Sequence, residues 1–138
     1  MAACSAPDES EGSVIAEGNY NTSLTVQEIM NLVLEPASDI LWDSGGWVLD
    51  AAGYEELYPT TDDGWAYVRS QAAIVVESGN MLALPGRAED NDAWMIYSEG
   101  LSEAGVLAMQ AAEAQDKEAF FQAYNPDILN RFDESSAD

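Results

Sequence analysis

Residues 92–124 read DAWMIYSEGLSEAGVLAMQAAEAQDKEAFFQAY, and they carry the periodic pattern from which the fold is predicted. Its first part predicts a long amphipathic helix, helix 3, because apolar side chains return at alternating steps of three and four. Asp116 then supplies an N-cap for a fourth helix after a very short connection. Two helices joined so closely are expected to be antiparallel neighbours.

The apolar stripe of helix 3 changes from bulky to small along the chain. Its members are Trp94, Tyr97, Leu101, Ala104, Ala108 and Ala111, and the opposite, wet face carries Glu99, Glu103, Gln110 and Glu113. Alanines let a neighbouring helix approach closely, whereas Trp94 and Tyr97 need room. We therefore expect one end of the bundle to be tightly packed and the other end to be wide.

Helix 4 is expected to continue past a break at Asn125-Pro126, because proline removes a backbone donor and clashes with the preceding turn. Its predicted apolar face consists of Phe121, Tyr124, Ile128 and Phe132. Large aromatic residues on the predicted faces of these two helices include Trp94, Tyr97, Phe121 and Phe132.

Helix 1 begins at a capping box formed by Thr25 and Glu28 and is predicted to run to about Asp43. Its predicted inward stripe is Val26, Ile29, Val33, Pro36 and Ile40. Pro36 should kink the helix near Leu32. A kink of this kind is either tolerated or opens a pocket.

Helix 2 is predicted to begin after an N-cap at Thr61, with Asp62 and Asp63 complementing the helix dipole. Its inward stripe is predicted as Trp65, Val68, Ala72 and Val75. Gly79, following Ser78, is expected to end the helix by taking the left-handed C′ position.

The connection from Ser44 to Thr60 has lost the helical period and carries paired glycines and a proline. A short hairpin turning at Ala52-Gly53 and a partly helical crossover are both open, and an irregular connection is favoured. Its aromatic residues are expected to cover the end of the bundle or, alternatively, to line a ligand mouth: Trp42, Trp47, Tyr54 and Tyr58.

Together these elements predict an all-α fold, an antiparallel four-helix bundle with an irregular or short hairpin connection between helices 1 and 2. At 138 residues and 47% hydrophobic composition the chain suits one domain with one core. Residues 23–134 are assigned to the bundle, residues 1–22 to a flexible N-terminal tether, and residues 135–138 to a frayed tail.

The chain is strongly acidic, with 26 acidic residues against four basic ones and a net charge of −22. This charge opposes binding to nucleic acid and to anionic lipid, because both partners present phosphates. The acidity suggests a solvated surface suited to a saline exterior, or alternatively attraction of a basic protein partner or cations. Arg87 is expected to form an ion pair with a carboxylate rather than to bind an anion.

No histidine is present, which excludes Ser-His and Cys-His catalysis, the usual zinc sites and His-ligated haem. Acidic pairs that are close in sequence, such as Glu55/Glu56 and Asp62/Asp63, fall at predicted caps and loops, where a carboxyl group does not gain the raised pKa of a general acid. No phosphate-binding or nucleophile-elbow motif is present. We therefore predict no catalytic, cofactor-binding or metal-binding residues, no cofactor, and no enzyme activity.

Cys4 follows Met-Ala-Ala, which resembles the end of a bacterial lipoprotein signal in which the cysteine becomes lipidated. The hydrophobic part of such a signal does not precede it, so we expect Met1 to be a start residue on a shortened chain. Ser5 after Cys4 predicts sorting to the outer membrane, and thus a periplasmic or cell-envelope location. The alternative is that Cys4 is an incidental thiol. No apolar run is long enough to span a bilayer.

Four predicted helices, Trp-x-x-Tyr opening the third, and the turn AMQAAEAQDKEAFFQA into the fourth resemble the cytochrome c-prime family. In that family the last helix carries Cys-x-x-Cys-His, which attaches and ligates haem. Here Phe132 and Ser135 stand where the cysteines would be, and Ser136 stands where the histidine would be. The resemblance implies a retained fold, lost haem attachment, and pairing into a homodimer, which the charge opposes at low salt.

Three functions follow as hypotheses. The first is a haem-free accessory or interaction protein of the cell envelope. Its core would be closed by the four residues that the resemblance implies as core-filling or pocket residues, Trp94, Tyr97, Phe121 and Phe132. The second is a small-molecule binding module that uses the cavity left by the haem. The third is an electron-transfer protein that holds haem or another cofactor noncovalently through Met or Tyr.

Overall fold

A computed structural model describes residues 15–16, 19–89 and 92–124 of the chain. The described part is mostly helical, with four helices and short antiparallel strand pairs. Helix α1 comprises Val26–Ile29, a π-helical turn Met30–Leu34, and Glu35–Asp43; α2 is Asp62–Ala83, α3 is Asp92–Ala114, and α4 is Lys117–Ala123. The strands are β1 Ile15–Ala16, β2 Tyr20–Asn21, β3 Trp47–Asp50 and β4 Gly53–Glu56.

The start of α1 is as predicted. The Thr25 hydroxyl accepts from the Glu28 backbone N–H at 3.1 Å, and the Glu28 carboxylate accepts from the Thr25 N–H at 2.8 Å. The expected disturbance near Leu32 is a π-helical turn, in which the Glu35 N–H donates to the Met30 carbonyl. Since Pro36 has no N–H for the Leu32 carbonyl and would crowd it, a wider turn at this point relieves the conflict.

The π-helical turn shifts the buried face of α1 by one residue. The predicted stripe continued from Ile29 through Val33, Pro36 and Ile40, but the residues buried after Ile29 are Leu34, Ala37 and Leu41. The prediction was wrong beyond Ile29 because a π turn takes up one more residue than an α turn. Every later side chain of α1 is therefore rotated relative to an uninterrupted α-helix.

The connection after α1 is a β-hairpin, the alternative that had not been favoured. β3 and β4 are antiparallel, with Trp47 opposite Glu56 and Asp50 opposite Gly53. The turn is at Ala51 and Ala52, where the Asp50 carboxylate accepts the Ala52 N–H at 2.7 Å. Gly53 has a φ of 127°, a conformation that favours glycine.

Helix α2 begins as predicted, with the Thr61 hydroxyl accepting the Gly64 N–H at 3.0 Å. The predicted inward stripe is confirmed, since Trp65, Val68, Ala72 and Val75 are all buried. The predicted end was wrong. Gly79 is helical and buried, and the helix continues to Ala83.

Helices α2 and α3 are antiparallel neighbours. A side-chain carbon on Gly79 would overlap the Ser102 hydroxyl and the Ser98 carbonyl, and one on Gly105 would lie 2.7 Å from the Val76 Cγ2. Later residues of α3 thus meet earlier residues of α2. Gly79 is a contact point between two helices rather than a helix terminus, which accounts for the wrong prediction.

The change from α3 to α4 confirms the predicted short connection. The Asp116 carboxylate accepts the Ala119 N–H at 3.0 Å and caps α4. Gln115 takes a left-handed conformation with a φ of 52°. Its N–H and that of Asp116 donate to the Ala112 and Ala111 carbonyls, so that the turn closes the end of α3.

The buried ring of α4 is Phe120, which is fully buried and packs edge-on against Trp65 and Tyr124 at 5.4 and 4.8 Å between ring centroids. The predicted apolar face began at Phe121, one position further on. Phe121 is only partly buried and lies 5.9 Å from the Trp47 ring of the hairpin. A helix as short as α4 offers too few apolar positions to fix the phase of its stripe from sequence.

Several predictions concern residues outside the described part. The predictions for Cys4, for the helix break at Asn125-Pro126, for Phe132 and for the tail 135–138 all fall there. The pairing of β1 with β2 falls inside the segment predicted to be a tether, with Ile15 opposite Asn21.

Candidate functional site

An apolar groove with a volume of about 440 Å³ lies between α1 and α3 and is partly open to solvent. Val75 and Leu82 of α2 lie between its two walls, and Ala123 and Tyr124 line it from the end of α4. The wall from α1 is formed by Met30, Leu34, Ser38, Leu41 and Trp42. The wall from α3 includes Trp94, Tyr97, Leu101, Ala104 and Gly105.

The π-helical turn determines which residues of α1 line the groove. Met30 and Leu34 are the first and last residues of this turn. The one-residue shift that it introduces carries Ser38, Leu41 and Trp42 into the lining set. Of the two alternatives left open for Pro36, a tolerated kink or a pocket, the position of this turn in the groove wall favours the pocket.

The wide and narrow ends predicted for α3 are both present. The bulky residues Trp94 and Tyr97 line the groove. The alanines Ala108 and Ala111 are buried near the other end of the helix. The position of Trp94 is fixed by its indole N–H, which donates to the Leu82 carbonyl at 2.8 Å.

The four aromatic residues predicted for a pocket or the core are placed differently from one another. Trp94 and Tyr97 lie together in the groove, and Tyr97 is 73% exposed at its rim. Phe121 does not line the groove, because it lies against Trp47. Phe132 and the predicted lipidation residue, Cys4, lie outside the described residues.

The four aromatic residues predicted for the connection between helices 1 and 2 also lie in different places. Trp42 lines the groove and is 60% exposed, while Trp47 and Tyr54 are exposed on the hairpin. Tyr58 packs against the core, with the Lys117 ammonium 5.5 Å above its ring. Of these four, Trp42 thus fits a ligand mouth, and Tyr58 fits a cover for the end of the core.

Helix α2 is held close to α3 behind the groove by small residues and by an inter-helix hydrogen bond in addition to that of Trp94 with Leu82. The Ser102 hydroxyl donates to the Val76 carbonyl at 2.7 Å, beside the close contacts of Gly79 and Gly105. Because α2 and α3 cannot move apart without losing this packing, two of the three helices around the groove form a fixed unit.

Polar groups in the groove are few. Ser38 and Ser98 contribute hydroxyls to its lining, and Tyr97 and Tyr124 contribute phenols. The Tyr124 hydroxyl is buried and has no hydrogen-bond partner among the described residues. Burial raises the pKa of Tyr124, and the nearby Tyr58 raises it further, so the phenol is neutral at physiological pH.

No charged side chain is among the described residues that line the groove. Arg69 pairs with Glu113 and Lys117 pairs with Glu56, both on the surface. The guanidinium of Arg87 donates to the Leu24 and Met81 carbonyls at 3.0 and 3.2 Å, and no carboxylate partner is recorded for it within the described part. The ion pair predicted for Arg87 is thus replaced by bonds that join the approach to α1 to the end of α2.

The described residues contain no group of three or more His, Cys, Asp or Glu side chains that could hold a metal ion. The chemistry available in the groove is therefore apolar contact together with hydrogen bonding by neutral hydroxyls.

Sequence reasoning missed most of the groove residues outside α3. Leu34, Ser38 and Leu41 were not singled out, and Tyr124 was assigned only to an apolar face. Pro36 was the available signal for the wall of α1, since a proline inside a helical pattern marks a local departure from α-helical geometry. The one-residue shift of the buried face that accompanies this departure is not visible in the sequence pattern.

A comparison with protein-family models found no match, and comparisons with curated proteins and with solved structures likewise found none. No helix in the described part of the chain is both long and apolar enough to cross a membrane.

Proposed function

We propose that the protein is a binding module that holds a neutral, mainly apolar small molecule in the groove between α1 and α3. The observation that carries this proposal is the groove itself, whose volume of about 440 Å³ is lined almost entirely by apolar side chains. Ligand sites in proteins usually begin at about 300 Å³ and combine apolar walls with a few polar groups.

The electrostatics favour a neutral ligand over an anionic one. None of the described residues that line the groove is a cation, and the chain as a whole carries a charge of −22. A carboxylate or sulfonate would enter a negative field without a partner for its charge. The unpartnered hydroxyl of Tyr124 suits a ligand with one neutral polar atom, such as a carbonyl or a hydroxyl.

Noncovalent haem fits the groove less well than a neutral apolar molecule. Met30, Tyr97 and Tyr124 are the Met and Tyr residues of its lining. Tyrosine binds iron as phenolate, and the raised pKa of Tyr124 disfavours that form. The hypothesis of a haem-free accessory protein predicts that aromatic side chains close the core. Tyr97, one of these residues, is instead 73% exposed. Both observations favour the small-molecule proposal.

The fold proposed with this function is an antiparallel four-helix bundle of the cytochrome c-prime type. The antiparallel contacts of α2 with α3 and the packing of α4 on α3 support it. In this proposal the groove is the space that haem would have occupied. Lipidation at Cys4 and a place in the cell envelope remain part of the proposal, as do a homodimer and a basic protein partner.

A matched pair of fluorophores tests the proposed function. N-phenylnaphthylamine is neutral, and anilinonaphthalene sulfonate is its anionic counterpart. We expect the neutral fluorophore to bind with one site per chain and the anionic one to bind at least about tenfold more weakly, a difference of about 1.4 kcal/mol. Stoichiometric haem uptake with a sharp Soret band, or equal binding of both fluorophores, would contradict the proposal.

A pair of variants locates the binding. Ala104 lines the groove, and Ala93 is an exposed residue of the same helix outside it. Ala104→Phe should fill part of the groove and weaken binding of the neutral fluorophore by about tenfold or more. Ala93→Phe should leave the affinity unchanged. Equal effects of the two substitutions would place the fluorophore elsewhere.

A further inference from the structure

The groove is elongated and runs lengthwise between α1 and α3. On α1 its lining extends from Met30 to Trp42, and on α3 it extends from Trp94 to Gly105. At about 1.5 Å per helical residue, each wall is about 16–18 Å long. A molecule that fills a groove of this length and of about 440 Å³ is longer than it is wide.

Different parts of the fold form the two ends of the groove. The Arg87 guanidinium, just after α2, bonds to the Leu24 carbonyl, so the start of α1 lies beside the end of α2. Trp94 lies at this end too, because its indole N–H donates to the Leu82 carbonyl. The opposite end is bounded by the last turn of α1 and by Tyr124, which follows the last residue of α4.

The Ser98 hydroxyl makes no hydrogen bond to any described residue, although Ser98 lines the groove and is only 5% exposed. A serine in a helix commonly bonds its hydroxyl to a nearby backbone carbonyl. Ser78 does so, with its hydroxyl 2.7 Å from the Ile74 carbonyl. The hydroxyl of Ser102 donates to the Val76 carbonyl at 2.7 Å. The Ser98 hydroxyl is thus left for a group inside the groove.

The Tyr124 hydroxyl is the second group of this kind. Its oxygen is buried and has no hydrogen-bond partner among the described residues. The other hydroxyls of the lining differ, since Ser38 is only partly buried and Tyr97 is exposed, so that solvent can satisfy both. Ser98 and Tyr124 therefore depend on the contents of the groove for a hydrogen-bond partner.

These two residues are separated along the bundle. Helix α4 follows α3 after two residues and packs on it. Tyr124 is eight residues beyond the Asp116 cap, which places it about 12 Å back from the end of α3. Ser98 is sixteen residues before Ala114, the last residue of α3, and so lies about 24 Å from the same end. The two positions are thus about 12 Å apart along the helices.

We propose that the groove binds an elongated neutral molecule with an oxygen at each end of an apolar body. The Ser98 hydroxyl donates to one oxygen and the Tyr124 hydroxyl to the other. Apolar side chains such as Leu34, Val75 and Leu101 contact the body between them. This inference rests on the proposed function, and it adds the shape of the ligand, its second polar atom and the two residues that select it.

The unpartnered state of the two hydroxyls is tested without any ligand. Removing a buried hydroxyl that has a partner destabilises a protein, whereas removing one that lacks a partner does not. The thermal midpoints of Ser98→Ala and Tyr124→Phe should therefore be equal to or above that of the wild type. Ser102→Ala should lower the midpoint, because its hydroxyl bonds to the Val76 carbonyl. A lowered midpoint for Ser98→Ala or Tyr124→Phe would show that the hydroxyl already has a partner, and would overturn the inference.

Two alcohols that displace N-phenylnaphthylamine test the contacts with the ligand. Dodecanediol carries a hydroxyl at each end and dodecanol at one end only. After correction for the affinity of each variant for the fluorophore, Ser98→Ala and Tyr124→Phe should each weaken dodecanediol by about threefold to tenfold. The double variant should weaken dodecanediol by about tenfold to a hundredfold, but dodecanol by only about threefold to tenfold, because dodecanol loses a single bond.

Ser70→Ala and Tyr67→Phe are the matched controls, since both residues are exposed on α2 and neither lines the groove. They should change neither affinity. Losses of similar size in the controls, a loss in only one of the two single variants, or equal losses of the two alcohols in the double variant would overturn the two-ended site and leave the proposed function in place. If the wild type binds neither N-phenylnaphthylamine nor dodecanediol, the proposed function and this inference both fail.

Discussion

Gly79 and Gly105 decide how closely α2 and α3 approach, since neither position has room for a side chain. The sequence reasoning placed Gly79 at a helix end, because glycine commonly takes the left-handed position there. The same residue serves equally well where two helices cross at short distance. Only the identity of the facing residues, Ser98 and Ser102, distinguishes the two roles, and these lie in another helix.

Gly79→Ala should destabilise the protein. Alanine has a helix propensity better by about 1 kcal/mol. The added carbon would however overlap the Ser98 carbonyl, and forcing packed helices apart costs about 1–3 kcal/mol or more. We expect a net loss of about 2 kcal/mol in urea unfolding. Ser70→Ala, at an exposed position of the same helix, should change the stability by less than about 0.5 kcal/mol. Stability equal to or above that of the wild type would refute the close contact.

Phe120→Ala and Phe121→Ala test which ring of α4 belongs to the core. Phe120 is fully buried between Trp65 and Tyr124, so its truncation should cost about 3–5 kcal/mol. Phe121 is partly exposed and contacts the hairpin, so its truncation should cost about 1 kcal/mol. Chemical denaturation of both variants measures the difference. A larger loss for Phe121→Ala would restore the apolar face predicted from the sequence.

Among the helices, the first residues could be predicted from the sequence more reliably than the buried faces. Thr25, Thr61 and Asp116 cap their helices as the sequence indicated, because a cap depends only on residues within one turn. The buried face of α1 depends on a π-helical turn that Pro36 makes favourable but does not require. The two walls of the groove therefore differ in how well the sequence predicts them. The wall from α3 follows a regular helical period, whereas the wall from α1 follows a period that the π-helical turn has shifted by one residue.

The capping box at the start of α1 gives a pH dependence of known sign. The Thr25 backbone N–H and then the Thr25 hydroxyl hydrogen-bond to Glu28 and lower its pKa from the ordinary value of 4.5. Because the pKa is lower in the folded state, the unfolded state binds more protons in this range. The stabilisation is complete above pH 4.5 and is lost as the pH falls through the lowered value.

An NMR titration of the Glu28 carboxyl group measures this shift. We expect a midpoint below 4.5, and in Thr25→Ala a midpoint moved part of the way back, because that variant keeps the backbone N–H and loses the hydroxyl. Thr25→Ala should also lose about 1 kcal/mol of stability as an N-cap variant. A Glu28 midpoint at or above 4.5 in the wild type would mean that the capping box does not hold the ionised carboxylate.

The dominant property of the whole molecule is its negative charge, and the folded state must be stable in spite of the repulsion among its carboxylates. A net charge of −22 is distributed over 138 residues. The ion pairs recorded within the described part, Arg69 with Glu113 and Lys117 with Glu56, are both exposed. Exposed pairs contribute about 0–1 kcal/mol each, so repulsion among the unpaired carboxylates outweighs them. The composition alone made this property predictable.

Salt should therefore stabilise the protein. Raising NaCl from about 0.01 M to about 1 M shortens the Debye length from about 30 Å to about 3 Å, which screens the repulsion. We expect the thermal midpoint to rise by several degrees, since about 1 kcal/mol corresponds to about 4 °C at this size.

Glu99 and Glu103 are exposed like charges one turn apart on α3. The double variant Glu99→Gln/Glu103→Gln should have a higher midpoint at low salt and a smaller response to NaCl. A midpoint that falls with salt would show that attractive pairs, rather than repulsion, dominate the folded state.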